Sequence, residues 1–97
     1  MVSQKKKLDK EQVKRKVSFT PLGWEDYQSW IDNPVKFERV NVLISAAQKS
    51  LHTGIGKPEK LSGNLKGYYS RRIDRENRLV YTDINGDLVV VMARHHY

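Results

Sequence analysis

The sequence predicts an α+β domain of order β-α-α-β-β-β, with a mainly antiparallel sheet and two helices packed on one face. Three observations carry this prediction. Two cap-and-proline pairs, Thr20-Pro21 and Asn33-Pro34, each precede a stretch with helical apolar spacing. The last third of the chain alternates strand-like runs with turn residues and contains Asn85-Gly86, its strongest hairpin signal. A short alternating run, Val17-Ser18-Phe19-Thr20, leads into the first helix signal and suits a strand.

Residues 1–16 hold seven basic and two acidic side chains, and their apolar residues form no stripe. They are expected to be a solvated basic extension, probed against the alternative of an arm that meets phosphates without sequence preference. The folded domain is expected over 17–97. Its first helix starts at Pro21, carries Trp24, Tyr27 and Ile31 at spacings of three and four, and should stop near Asp32. The second begins at Pro34 and presents Phe37, Val40, Ile44, Ala47 and Leu51 on one face. Trp24, Trp30 and Phe37 are expected in the core.

Glycines and a proline break all periodicity over residues 52–66, which predicts a loop with one turn near Lys60 to Leu65. Tyr68 to Ile73 and Arg78 to Asp83 then read as strands around an Asp74 to Asn77 turn. Leu88 to Ala93 is six consecutive apolar residues, a strand covered on both faces or central in the sheet.

Composition bounds the function. Of 97 residues, 38% are apolar, enough for one small core, because a chain of this size buries only about 60–65% of its unfolded surface. With no cysteine there is no disulfide scaffold, Cys-based zinc site or thiol nucleophile, which fits a reducing compartment. The longest apolar run is far short of the roughly 20 residues of a membrane helix, and no apolar segment follows the N-terminal lysines. A soluble cytoplasmic protein without a membrane partner is expected. The formal charge is +7. Residues 57–78 contribute seven bases against three acids and are interleaved with tyrosines, a pattern suited to phosphates and stacked bases. The bland alternative is a solvated hairpin whose arginines pair with Asp74 and Glu76. A metal site at His95-His96 has little support, since adjacent strand residues point to opposite faces and His52 is the only other histidine.

The run from Gly56 through Lys57-Pro58-Glu59-Lys60-Leu61-Ser62-Gly63-Asn64-Leu65 to Ser70-Arg71-Arg72-Ile73, then Asn77 to Tyr81 and the terminal Arg94-His95-His96-Tyr97, resembles the Txe/YoeB family of toxins. These belong to the RelE-like superfamily, whose compact β-α-α-β-β-β fold agrees with the order read from periodicity. The resemblance implies a metal-independent, ribosome-dependent endoribonuclease, without a cofactor, that cuts mRNA in the ribosomal A site. It also implies neutralisation by a cognate YefM-type antitoxin, pairing as a homodimer, purine preference at the cut, and a 3′-phosphate or cyclic phosphate product. Carried over, the family's catalytic glutamate falls on Glu59 and its neighbouring lysine on Lys57. The cleft arginines fall on Arg72 and Arg78, and the terminal His-Tyr on His96 and Tyr97. Lys60 and Ser62 stand where relatives have proline and lysine, so Lys60 or Lys66 would have to supply the displaced cation.

Metal-free cleavage by the ribose 2′-OH needs a base for that hydroxyl, cations for charge on the phosphoryl oxygens, and an acid for the 5′-oxygen. Glu59 between Lys57 and Lys60 suits the base, because nearby cations favour the carboxylate. Arg72 and Arg78 each offer a planar fork to two phosphate oxygens. His96 is the candidate acid, or else orients substrate, with its pKa lowered by neighbouring arginines. Tyr97 could stack on a base or bind phosphate. An acidic antitoxin segment would be electrostatically natural among Arg71, Arg72, Arg75 and Arg78. Two other readings compete: a non-catalytic basic RNA- or ribosome-binding module, and a protein that mainly complexes its antitoxin, its nuclease site degenerate through Ser62.

Strand register tests the site. A two-residue loop at Asn85-Gly86 pairs Ile84 with Asp87 and puts Arg78 opposite Ala93, which sends His96 to the other face. The proposed site therefore requires a bulge, or a turn of the tail after about Arg94. Arg72 and Arg78 share a face only if the Asp74 to Asn77 turn pairs them in register, and pairing Ile73 with Arg78 would separate them.

Overall fold

The computed structural model describes residues 14–95. Strand β1 (Val17–Phe19) leads into helices α1 (Pro21–Gln28) and α2 (Pro34–Lys49). There follow β2 (Glu59–Lys60), a 3-10 turn (Gly63–Leu65), β3 (Tyr69–Arg72), β4 (Arg78–Ile84) and β5 (Asp87–Met92). The sheet order is β1-β5-β4-β3-β2, with β1 parallel to β5 and the other pairs antiparallel.

Both helix starts form as the sequence dictates. The Thr20 hydroxyl accepts from the Gly23 N–H, and the Asn33 side chain accepts from the Lys36 N–H, so each cap satisfies a donor that the first turn leaves unpaired. Helix α1 ends at Gln28 rather than near Asp32. Beyond it the chain tightens into three-residue bonds, Ile31 N–H to Gln28 O and Asn33 N–H to Trp30 O, which deliver it to the second cap.

The buried residues of α2, Val40, Leu43, Ile44 and Ala47, join Trp30, Ile73, Leu79, Tyr81, Leu88, Val90 and Ala93 in one cluster between the helices and one sheet face. Leu43 widens the expected stripe. Trp30 is buried and Phe37 is packed against the cluster, but Trp24 is 47% exposed and is not a core residue. Its ring instead lies over Phe19 and Tyr27 at the rim. Helix α1 approaches the sheet closely at Gly23, where a Cβ would stand 2.1 Å from the Val90 carbonyl oxygen.

Residues 52–66 are not wholly loop. Glu59 and Lys60 pair with Ser70 and Tyr69, and the Leu61 N–H donates to Tyr68 O, adding a fifth strand to the expected four. Two residues are too short for alternation to register in a sequence. The six-residue apolar run becomes a strand inside the sheet, flanked by β1 and β4.

Arg71 organises the approach to β2. Its side chain is fully buried, and its Nε donates to the Tyr81 hydroxyl. Its terminal nitrogens donate to the carbonyls of Ile55, Ser50 and Thr53, while the Tyr81 hydroxyl donates to Leu51 O. The loop leaving α2 thus wraps its carbonyls around one guanidinium, at the negative end of the helix dipole. Gly56 seals the wrap: at φ 92°, a Cβ there would fall 2.6 Å from the Leu43 side chain.

Candidate active site

Strand alternation assigns the faces. Arg71, Leu79 and Tyr81 turn toward the helices, so their sequence neighbours turn away. Glu59 pairs with Ser70, Ser70 with Val80, and Val80 with Met92, making one row across four strands on the face away from the helices. Arg72 and Arg78 are direct cross-strand partners on that same face, one pleat along from Ser70. Glu59 and Arg72 are diagonal neighbours on adjacent strands about 4.8 Å apart, and Arg78 lies one strand further on, so the three share one face of the sheet. The turn therefore keeps the two arginines in register.

Each charged group has a distinct environment. Glu59 is exposed at the sheet edge, and Lys57 is exposed beside it in a left-handed conformation, φ 51°. The Arg72 side chain is exposed, with no hydrogen bond or ion pair among the described residues; its main chain donates to Gly56 O and accepts from Arg39. Arg78 is half-buried, and one terminal nitrogen is held by the carbonyls of Asp74, Arg75 and Asn77, leaving the rest of its fork unclaimed. Turn carbonyls thus aim a cation that retains donors for a phosphate.

Lys60 and Lys66 are not brought onto the Glu59 row. Lys60 pairs with Tyr69, on the opposite side of the pleat, and both lysines line a depression of about 300 Å³ at the sheet edge with Leu61, Gly67, Tyr68 and Tyr69. His96 and Tyr97 lie outside the described residues, as does the extension up to residue 13. Arg71, expected among the arginines open to an acidic segment, is instead a fully buried structural group.

The predicted irregularity before the C-terminus is present, but earlier than expected. The pairing runs Tyr81 with Val90 and then Val80 with Met92, so a bulge at Val91 shifts the register ahead of Arg94. The shift moves Met92 onto the face of Val80. The backbone then turns at His95, φ 66°. Asp74 anchors the adjacent turn, accepting from the N–H groups of Glu76 and Asn77, from the Asn77 amide and from Lys36. Burial alone would raise its pKa, but these bonds outweigh burial and hold the carboxyl at about 2. The part played by Asn77 was not read from sequence, although an Asp-x-x-Asn turn is the available signal.

Basic and acidic residues on the face of a small mixed sheet away from its two helices define the class: a RelE-like α+β toxin fold. The model of the YoeB-like toxin of bacterial type II toxin-antitoxin systems matches residues 19–97, and the chain belongs to that family. It is 47% identical over 83 residues to the toxin YoeB of Streptomyces coelicolor, covering 84% of this chain and 99% of the relative. Among solved structures, a YoeB/ParE toxin from Agrobacterium tumefaciens superposes with a TM-score of 0.79 at 39% identity, over 84% of this chain and 99% of that one. The YoeB-YefM complex of Staphylococcus aureus does so at 0.77 and 38% identity, and the YoeB dimer of that organism at 0.78 and 38%, each covering 88% of this chain and all of the other. The basic residues 1–16 precede the matched region.

Proposed function

We propose that this toxin is a ribosome-dependent mRNA endoribonuclease that acts in the cytoplasm, without metal, by 2′-OH attack in the ribosomal A site. The carrying observation is the shared face: Glu59 reaches it through its pairing with Ser70, and Arg72 and Arg78 through their pairing with each other. Glu59 takes the proton of the 2′-OH. Arg72 and Arg78 stabilise the charge that builds on the phosphoryl oxygens, where fixed donors count most. His96 protonates the departing 5′-oxygen or orients substrate, while Tyr97 and Lys57 position RNA, with Lys60 and Lys66 meeting phosphates further along the sheet edge. A YefM-type antitoxin is the partner that silences this surface, with the basic region of Arg72, Arg75 and Arg78 as the target of its acidic segment, and the free toxin pairs as a homodimer. The S. aureus complex and dimer support these two assignments by likeness.

The test is primer extension on a defined mRNA, translated by purified ribosomes or free in solution. Cuts confined to the A-site codon on ribosomes, lost in Glu59→Ala and in Arg72→Ala, are expected. Ribosome binding without cuts in either sample, from folded protein, would overturn the nuclease reading and leave a binding module.

A further inference from the structure

The β-ladder ends at Met92, yet each of the next three residues is individually held. The Ala93 N–H donates to the Asp26 carboxylate and its carbonyl accepts from the Trp30 indole. Arg94 lies over the Trp30 ring and donates to the Ser29 hydroxyl. His95 is held at both of its main-chain polar groups by the β3–β4 turn: its N–H donates to Asn77 Oδ1 at 2.6 Å, and its carbonyl accepts from the Arg78 N–H at 3.2 Å. Between those two bonds its φ of 66° is a left-handed conformation uncommon in non-glycine residues.

The orientation of the Asn77 amide is not free. Its Nδ2 donates to both Asp74 oxygens, at 3.0 and 3.2 Å, and an ionised carboxylate only accepts, so Oδ1 must be the atom that faces the tail. Asp74 is itself tied to Lys36 of α2 at 3.0 Å. A continuous polar chain therefore runs from α2 through Asp74 and Asn77 to the backbone of His95. It arrives beside Arg78, whose guanidinium rests on the carbonyl of Asn77.

We propose that Asn77 is a positioning residue: it latches the C-terminal tail at His95 and so sets where His96 stands relative to Arg78. The catalytic half of this inference rests on the nuclease reading above; the latch itself does not. His96 follows His95 directly in the chain. A general acid must be within hydrogen-bond reach of its leaving group, so a loosened His95 would misplace the acid without touching substrate. The side chain of His95 takes no part, because both bonds use its main chain.

Two variants attack the latch from opposite sides. Asn77→Ala removes the acceptor; His95→Pro removes the donor and forbids the positive φ. His95→Gly keeps both bonds and eases the backbone, so it should cleave like the parent. Folding of each is checked by circular dichroism, and the His95 amide is followed by hydrogen exchange in Asn77→Ala. Its exchange should rise about tenfold, the scale of one lost hydrogen bond, while that of Ala93, held by Asp26, stays put. On ribosomes, kcat should fall about 10- to 100-fold in Asn77→Ala and His95→Pro with KM little changed, the signature of a displaced catalytic group. Unchanged His95 exchange in Asn77→Ala would overturn the latch. Faster exchange with parental kcat would overturn its role in placing His96. Full cleavage by His96→Gln, with Glu59→Ala inactive, would remove His96 from the reaction and with it the catalytic half, exchange then deciding the latch alone.

Discussion

Replacing Arg71 by methionine should cost about 3–4 kcal/mol, a quarter or more of the stability of this domain, although Arg71 lies on no substrate-facing surface. The guanidinium makes four hydrogen bonds, to the Tyr81 hydroxyl and to the carbonyls of Ile55, Ser50 and Thr53. Bonds to a charged donor contribute roughly 1.5–3 kcal/mol each, a gross figure of about 6–12 kcal/mol. Burying the guanidinium costs several kcal/mol, which the methionine variant recovers, so the net loss is about 3–4 kcal/mol. A domain this size has about 4–12 kcal/mol in all. With a urea slope of about 1.5 kcal/mol/M, the midpoint should fall by about 2 M, read by the fluorescence of Trp24 and Trp30. Arg71→Lys should fall in between, because one ammonium keeps the charge but cannot span four acceptors. A methionine variant within about 0.5 M of the parent midpoint would refute the claim that the arginine holds the loop.

Three further outcomes follow from the packing and the charges. Gly23→Ala should destabilise by about 2–3 kcal/mol in the same urea assay despite the better helix propensity of alanine, because the new Cβ collides with Val90 O. Trp30→Phe should cost about 1–3 kcal/mol by leaving the buried Ala93 carbonyl without its indole donor, and its thermal midpoint should fall accordingly. The Asp74 carboxyl is held at about 2, below its ordinary 3.8, so its contribution is complete above pH 5 and is lost as pH falls toward 2. Urea titrations at pH 7 and pH 3 should therefore show the parent losing about 0.5–1 kcal/mol more than Asp74→Asn on acidification, after allowance for solvent screening.

What could be read from sequence, and what could not, follows from the range of each interaction. The caps at Thr20 and Asn33 and the Asn85-Gly86 hairpin are local bonds between residues a few positions apart, and all three form as predicted. Trp24 was misplaced because its spacing with Tyr27 and Ile31 fits a helix face, while its exposure depends on how α1 crosses β5. Strand β2 and the bulge at Val91 depend on a partner strand, so no window of the chain contains them. The candidate site was legible as residue types through the family resemblance. Whether Arg72 and Arg78 share a face was not, since it turns on one residue of register in the Asp74 to Asn77 turn.

Arg71 and Arg72 are neighbours of identical chemistry, and strand alternation gives them opposite duties. The side chain of Arg71 turns inward and closes the loop that precedes Lys57 and Glu59; that of Arg72 turns outward onto the Glu59 face. The main chain of the pair joins both duties, because the Arg72 N–H donates to Gly56 O at 2.7 Å where the loop enters β2. Glu59 is thus fixed relative to Arg72 through two independent routes, the pairing of β2 with β3 and the loop wrapped around Arg71. An exposed two-residue edge strand cannot hold a carboxylate in place by its own ladder bonds. The buried guanidinium supplies the rigidity that the strand lacks, so a charge with no carboxylate partner among the described residues is retained in the core where an apolar residue of similar volume would cost less to bury.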